Sequence, residues 1–539
     1  MPARPPARAD ARPQLRPEWS GWASQSLLFA LLFAALMLLH APLLRLPYFW
    51  DEAGYYVPAA RDLYLTGSLI PQSTLSNAHP PLVMAWLALA WRVAGFSTLV
   101  TRTAMLALAA FSLLGLFQLA RRATNLEVAW ATTACAALYP VLFTQSSLAH
   151  VDLAAAGFTW WGLLGYVEDR PGKQILWFSL AALAKETAVL APLALLAWEL
   201  IASVLRPWRE EFLPPGGRRT RAFIYLLPIL PLACWYAYHY AKTGFLLGNP
   251  EFFRYNVAAT LDPLRIPLAL GLRLWQLFGY LGLYLLTLAG LLAMFRPAQM
   301  EQGIVRPRIP IRIQAGFLAV ILAYLGFMSV VGGAVLARYM LPVVPLVMLV
   351  LISTLWRRVK YWKLVVGAIA TLFIAGLFIN PPYGFSLEDN LAYRDYIVMH
   401  AQASRFLAMQ YPRARVLSAW PASDELTRPW LGYVAQPFRV LRIEDFTTPE
   451  VARAAAARDQ FDVALVFSTK YQPPHALLED WAWWQRIKAR FFGYHRDLAP
   501  EEIAQRIGGR VLFHKESEGQ WVAVIVVEQA ENAQLRITR

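Results

Sequence analysis

The feature that most constrains this chain is a series of long apolar blocks separated by clusters of arginine. Backbone inside hydrocarbon must satisfy its own hydrogen bonds, so such blocks fold as helices that pack together. About 20 apolar residues are needed for one crossing. The chain has 539 residues, 58% of them hydrophobic, against about 45–50% in globular domains. The 21 Trp, 23 Tyr and 29 Phe suit aromatic belts at a bilayer surface.

The net charge of +15 would fit a nucleic-acid binder, but the arginines fall between apolar blocks. The positive-inside rule puts them there, so nucleic acid is excluded as a partner. Cys135 and Cys234 both lie inside apolar blocks, as buried small residues do, rather than as a disulfide or metal pair. Residues 1–24 form an arm rich in Arg and Pro (Arg4, Arg8, Arg12, Arg16). The apolar run from Ser26 to Leu44 follows. It exceeds a signal-peptide core and lacks a small-residue cleavage site, which predicts a retained first span with a cytoplasmic N-terminus.

Reading alternate sides gives eleven spans, at about 25–44, 98–120, 126–147, 153–168, 174–184, 187–205, 222–240, 267–294, 314–333, 340–356 and 363–379. The run Pro81–Val93 is too short to cross, and a crossing there would put Arg121 and Arg122 outside, so it reads as an interfacial helix. One helix over 174–205 would put Arg206, Arg209, Arg218, Arg219 and Arg221 outside, so two short spans turning at Lys185-Glu186 are preferred. Every arginine cluster between spans then falls on one side. The first outer loop is 45–97, and an extracytoplasmic region follows at 381–539. There, strand-like runs (Arg415–Trp420, Phe461–Phe467, Val511–His514, Trp521–Val527) alternate with helix-like ones at 390–410, 449–458, 480–491 and 500–507. That pattern predicts a small α/β domain. The arm and the short loops suit a bacterial inner membrane.

Candidate chemistry gathers in the outer loops. Asp51 and Glu52 lie a few residues beyond the first span, flanked by Trp50, Tyr55 and Tyr56. An isolated pair would be a solvated loop end or an N-cap. Beside aromatic rings a carboxylate is desolvated, which raises its pKa and suits a general base. Asp152 stands at the outer end of two apolar blocks, where a carboxylate is costly and is a functional candidate by default. His79, before Pro80-Pro81, is either a turn residue, a hydrogen-bond partner for phosphate, or a metal ligand. A divalent metal on Asp51, Asp152 and His79 stays open. Lys185 and Arg338 end short spans. They either snorkel to headgroups or clamp a lipid-linked phosphate. Arg254, in the segment Thr243–Ile266, extends the same argument. There is no glycine-rich phosphate loop, Gly-x-Ser-x-Gly elbow or HExxH.

Trp50-Asp51-Glu52-x-x-Tyr55, then His79-Pro80-Pro81-Leu82, Asp152, Leu183-Ala-Lys185-Glu186 and Arg338-Tyr339-Met-Leu-Pro342 follow in this order. In this the chain resembles the polytopic GT-C glycosyltransferases, in particular the protein O-mannosyltransferase-like group that includes the lipid A aminoarabinose transferases. The resemblance covers about 25–380. It implies a GT-C helical bundle, a sugar donor on a polyprenyl phosphate, and a lipid, glycan or protein acceptor. It implies inversion with Asp51 as base, and Asp152 and Glu52 beside it. His79, Lys185, Arg338, Tyr55, Tyr339 and Arg254 would bind donor phosphate and substrate. Two other readings of the charges are a flippase for lipid-linked sugars and a non-catalytic scaffold. A carrier would carry charges near the midplane in repeated halves, and neither is visible here.

Overall fold

The computed structural model describes residues 21–205, 223–250, 253–254, 257, 260–473 and 481–527. Most of the arm, Arg206, Arg209, Arg218, Arg219 and Arg221, and Glu251, Tyr255 and Asn256 lie outside the described residues. The chain is a multi-pass helical bundle with an α/β layer on one end. Among the described residues five helical stretches are long and apolar enough to cross a bilayer: Trp22–Leu39, Thr98–Ala123, Glu186–Val204, Arg265–Met294 and Ile311–Val330. Shorter apolar helices run over Leu82–Ala94, Leu126–Leu138 and Trp362–Phe378. Several expected spans are therefore shorter than a crossing length. Two expected spans, one of them within the long stretch Arg265–Met294, are broken. The span expected at 126–147 stops at Tyr139, before Pro140, because Pro lacks the N–H that an interior turn requires. The span expected at 267–294 is two helices, Arg265–Phe278 and Leu283–Met294, with Leu281 in the left-handed region between them.

Local sequence sets several boundaries. Ser97 caps Thr98–Ala123 by accepting from the Val100 N–H, and Asn125 caps Leu126–Leu138 through the Val128 N–H, which satisfies donors that helix starts leave orphaned. Lys185 is fully extended and ends the helix Pro171–Ala184 before the turn Glu186–Val189. The break expected at Lys185-Glu186 is present. Helices Thr98–Ala123 and Asp152–Val167 pack closely where Gly157 meets Ser112; a Cβ on Gly157 would lie 1.9 Å from the Ser112 Oγ. Small residues let membrane helices approach in this way.

The first outer loop is ordered by buried polar contacts. Val57–Thr66 and Leu82–Ala94 are short helices. Between them the carboxylate of Asp62 accepts from the Gln72 N–H, the Ser73 N–H and the Ser73 hydroxyl at 2.7, 2.7 and 2.9 Å.

Beyond Trp362–Phe378, the helix Ala392–Gln410 leads into five strands: β1 (Arg415–Ala419), β2 (Arg439–Ile443), β3 (Val463–Phe467), β4 (Gly509–Ser517) and β5 (Gln520–Val527). Their order is β2-β1-β3-β5-β4. The first three are parallel, and β5 and β4 complete the sheet antiparallel. β2 and the short helix Ala422–Thr427 were not expected from the sequence. β2 carries Arg439 and Arg442 at the sheet edge, which hides its strand pattern. The α/β layer is continuous with the first loop. The Tyr48 N–H donates to the Leu431 carbonyl at 3.1 Å, and the Tyr433 hydroxyl donates to the Tyr48 carbonyl at 3.1 Å. Tyr48, Phe49 and Ala53 share one apolar core with Tyr396, Leu431 and Phe467.

Candidate active site

Glu52–Tyr56 is one π-helical turn that opens the helix Val57–Thr66. Such turns hold an extra residue and recur at functional sites. Trp50 enters the turn with φ 45°, which costs a non-glycine residue about 1–3 kcal/mol. Its ring packs edge-on against Trp420 at 5.2 Å and Tyr396 at 5.9 Å. The two adjacent carboxylates therefore part. Glu52 turns into the bundle and Asp51 into a cavity.

Glu52 is wholly buried. Arg102 Nη1 donates to Glu52 Oε2 and Nη2 to Oε1, both at 2.6 Å. The Phe49 N–H donates to Oε1 at 2.7 Å and the Ala149 N–H to Oε2 at 2.8 Å. Both oxygens are thus occupied, and Glu52 does not line the cavity. The catalytic role expected for Glu52 gives way to a holding one: it ties the first loop to helix Thr98–Ala123 and to the turn before Asp152.

Arg338 is the hub on the other side. It sits in the turn Ala337–Met340 with 2% of its side chain exposed. It pairs with Asp51 and Glu388, and its Nε lies 3.2 Å from Asp152 Oδ2. Asp152 Oδ1 accepts from Lys185 Nζ at 2.5 Å, and that ammonium lies 3.9 Å from the centre of the Tyr339 ring. Asp51, Asp152, Lys185 and the adjacent Arg338 and Tyr339, from four separate stretches of sequence, are one connected cluster. Asp152 is buried behind the two cations. Asp51 keeps 22% of its side chain exposed. It is therefore not the isolated carboxylate among rings that the sequence suggests, but an ion-paired one with an open side.

His79 follows Ala78, which has φ 59°. The bend is held by Trp235 Nε1, which donates to the Ala78 carbonyl at 2.9 Å. His79 Nδ1 lies 2.8 Å from Glu186 Oε2, and its ring stacks on Tyr56 at 5.9 Å. Asp51, Asp152 and His79 do not converge as a metal trio: the aspartates share Arg338 and the histidine pairs with Glu186. Among the described residues no group of three or more His, Cys, Asp or Glu is placed to hold a metal.

The cavity measures about 2370 Å³. Asp51, Tyr55, His79, Lys185, Arg254, Arg338 and Tyr339 all line it. So do residues that no sequence pattern marks. Glu388 and Asp389 come from the link between the last apolar helix and the α/β layer. Burial first, then neighbouring carboxylates, push the Glu388 carboxyl up to about 8 against the opposing pull of Arg338. Burial pushes Asp389 up to about 7, although it accepts from the Tyr280 hydroxyl at 2.6 Å. The α/β layer forms the far wall. The cavity is lined there by Trp420, Asp445, Thr469 and Lys470, just past the carboxyl ends of the parallel strands, where open α/β sheets present ligands, and by His495, whose Nε2 lies 3.1 Å from the Thr469 hydroxyl.

The ArnT structure from Cupriavidus metallidurans bound to undecaprenyl phosphate aligns with 95% of this chain and 99% of its own, at a TM-score of 0.51 and 14% identity. The chain has the GT-C fold. The apo form of that ArnT gives the same TM-score at 13% identity over 92% of this chain and 97% of its own. Archaeal oligosaccharyltransferase AglB from Archaeoglobus fulgidus aligns at 0.45 and 11% identity over 93% and 74%. At such identities the likeness is one of fold. No family model matches the chain, and no curated protein matches it by sequence. The alignment to ArnT reaches well past residue 380, so the shared GT-C architecture takes in the α/β layer that the sequence resemblance left out.

Proposed function

We propose that this GT-C chain is an inverting glycosyltransferase. It moves a sugar from a polyprenyl-phosphate donor to an acceptor on the extracytoplasmic face of a bacterial inner membrane. The observation that carries this reading is Asp51, a partly open carboxylate on the cavity, next to two buried cations. The undecaprenyl phosphate in the ArnT structure supports the donor class.

In this mechanism an acceptor hydroxyl or phosphate gives its proton to Asp51. The freed oxygen bonds to the anomeric carbon from the face opposite the donor phosphate. The carbon–oxygen bond to that phosphate breaks, and its electron pair leaves on the lipid phosphate. Lys185 and Arg338 offset the charge that develops there, and fixed charges of this kind act most strongly in a water-poor site. Asp152 holds both cations, one on each carboxylate oxygen. Tyr55, His79, Tyr339 and Arg254 line the substrate space.

The test is transfer from a labelled polyprenyl-phosphate sugar in membranes, by wild type and by Asp51→Asn. Label that reaches an acceptor only with wild type supports the reading, and the product names the acceptor. Equal transfer by both removes Asp51 from the role of base. Label that crosses the bilayer while still on its lipid would make the chain a carrier.

A further inference from the structure

The helix Ala482–Phe492 belongs to the α/β layer, yet none of its residues is buried. Positions 483, 486 and 490 fall on one face, three and four residues apart. That face carries Trp483, Arg486 and Arg490, and Trp481 stands just before it. Trp481 and Trp483 are 51% and 48% exposed. Between Ala482 and Phe492 the charged residues are Arg486, Lys488 and Arg490, with no acid. The opposite face is different: Trp484, Lys488 and Phe492 line the cavity.

The height of this helix is set by the bundle. Arg265 opens a candidate membrane span, so it marks a bilayer face. Its Nε donates to the Phe491 carbonyl at 3.1 Å, and its guanidinium lies 5.6 Å from the centre of the Phe492 ring. Leu261 and Leu264, just before that span, are 54% and 61% exposed. A soluble surface gains nothing by exposing two neighbouring tryptophans on one helix start, 5.7 Å between ring centres, or the two leucines that lead into the span. The headgroup zone of a bilayer accepts them, because an indole places its body among acyl carbons and its N–H in the polar layer.

We propose that Ala482–Phe492 lies on the membrane surface, with Trp481 and Trp483 in the headgroup zone and Arg486 and Arg490 on anionic lipid phosphates. Arginine forks match phosphate geometry, and cations are drawn to an anionic lipid surface. The inner face of the same helix is cavity wall. The helix is thus the part of the α/β layer that meets the lipid at the edge of the cavity. This inference does not depend on the reaction assigned to the cavity.

The experiment places a nitroxide on the full-length protein by Arg486→Cys, with Cys234→Ser, and reconstitutes it in vesicles of zwitterionic lipid with and without anionic phosphatidylglycerol. The reference is Gln505→Cys, on an exposed face of the helix Pro500–Ile507. Accessibility to a water-soluble nickel chelate is expected to fall about threefold or more at 486 relative to 505, as for an interfacial helix. It is expected to fall further with anionic lipid at position 483 (Trp483→Cys), where both arginines are kept. Equal accessibility at 486 and 505 would overturn the proposal. So would protection at 486 that persists in detergent with spin–spin broadening, which would make the face a contact between copies of the chain.

Discussion

Glu52 and Arg102 meet in a buried two-pronged ion pair, 2.6 Å at each prong, while the neighbouring Asp51 faces the cavity and pairs with Arg338. Two adjacent acids thus have separate tasks. Asp51→Asn keeps the shape and removes the base. Transfer is expected to fall by about 10²- to 10⁴-fold, with an unchanged melting temperature in the same detergent. A fall in both would mean that Asp51 holds the fold.

Glu52→Gln has the reverse signature. It leaves the Arg102 guanidinium buried without its charge partner, which costs about 3–5 kcal/mol. The expected outcome is a much lower melting temperature. Transfer should be lost in proportion to the folded fraction.

Asp152 and Lys185 can be separated from their surroundings by a double-mutant cycle. Asp152→Asn leaves the buried Lys185 ammonium without its carboxylate and is expected to lower stability by about 3–5 kcal/mol; Lys185→Met is expected to cost less, because Arg338 still faces Asp152. The pair together should cost less than the sum, because neither charge is then left alone. Additive losses would place the two in separate networks.

Glu388 predicts a pH dependence. Its carboxyl is raised from the usual 4.5 to about 8, so the folded chain holds a proton that the unfolded chain has released. Stability from this group is present below pH 4.5 and is lost as pH rises towards 8. Glu388→Gln stays neutral throughout and should be relatively more stable than wild type at pH 9 than at pH 6. Above pH 8 a charged Glu388 also competes for Arg338, so wild-type transfer should fall there and the variant should lack that inflection. The readouts are melting temperature and transfer rate from pH 6 to 9.

Gly54 joins the first loop to the α/β layer. A Cβ there would lie 2.8 Å from Cζ2 of Trp420. Gly54→Ala is expected to lower stability by about 1–3 kcal/mol, as overpacking does, and to increase proteolysis of the α/β layer. Adding Trp420→Leu should recover part of the loss. No effect of Gly54→Ala would show that the indole can shift freely.

The sequence alone determined the membrane class, the short helix that follows Pro81, the break at Lys185 and most of the α/β layer. These follow from local properties: apolar length, capping residues, and the periods of helix and strand. It also pointed to Asp51, His79, Lys185 and Arg338, because charges are scarce near a bilayer and stand out. Only the tertiary structure decided what each charge does. Nothing local tells Asp51 from Glu52; a π turn and Arg102, 50 residues away, send one outward and lock the other. Arg338 reads as a lone cation until folding brings Asp51, Asp152 and Glu388 to it. Glu388 lay hidden in a polar link, since its burial depends on a helix end and a turn more than two hundred residues upstream. The far wall was likewise invisible, because strand ends acquire a common face only once the sheet has formed.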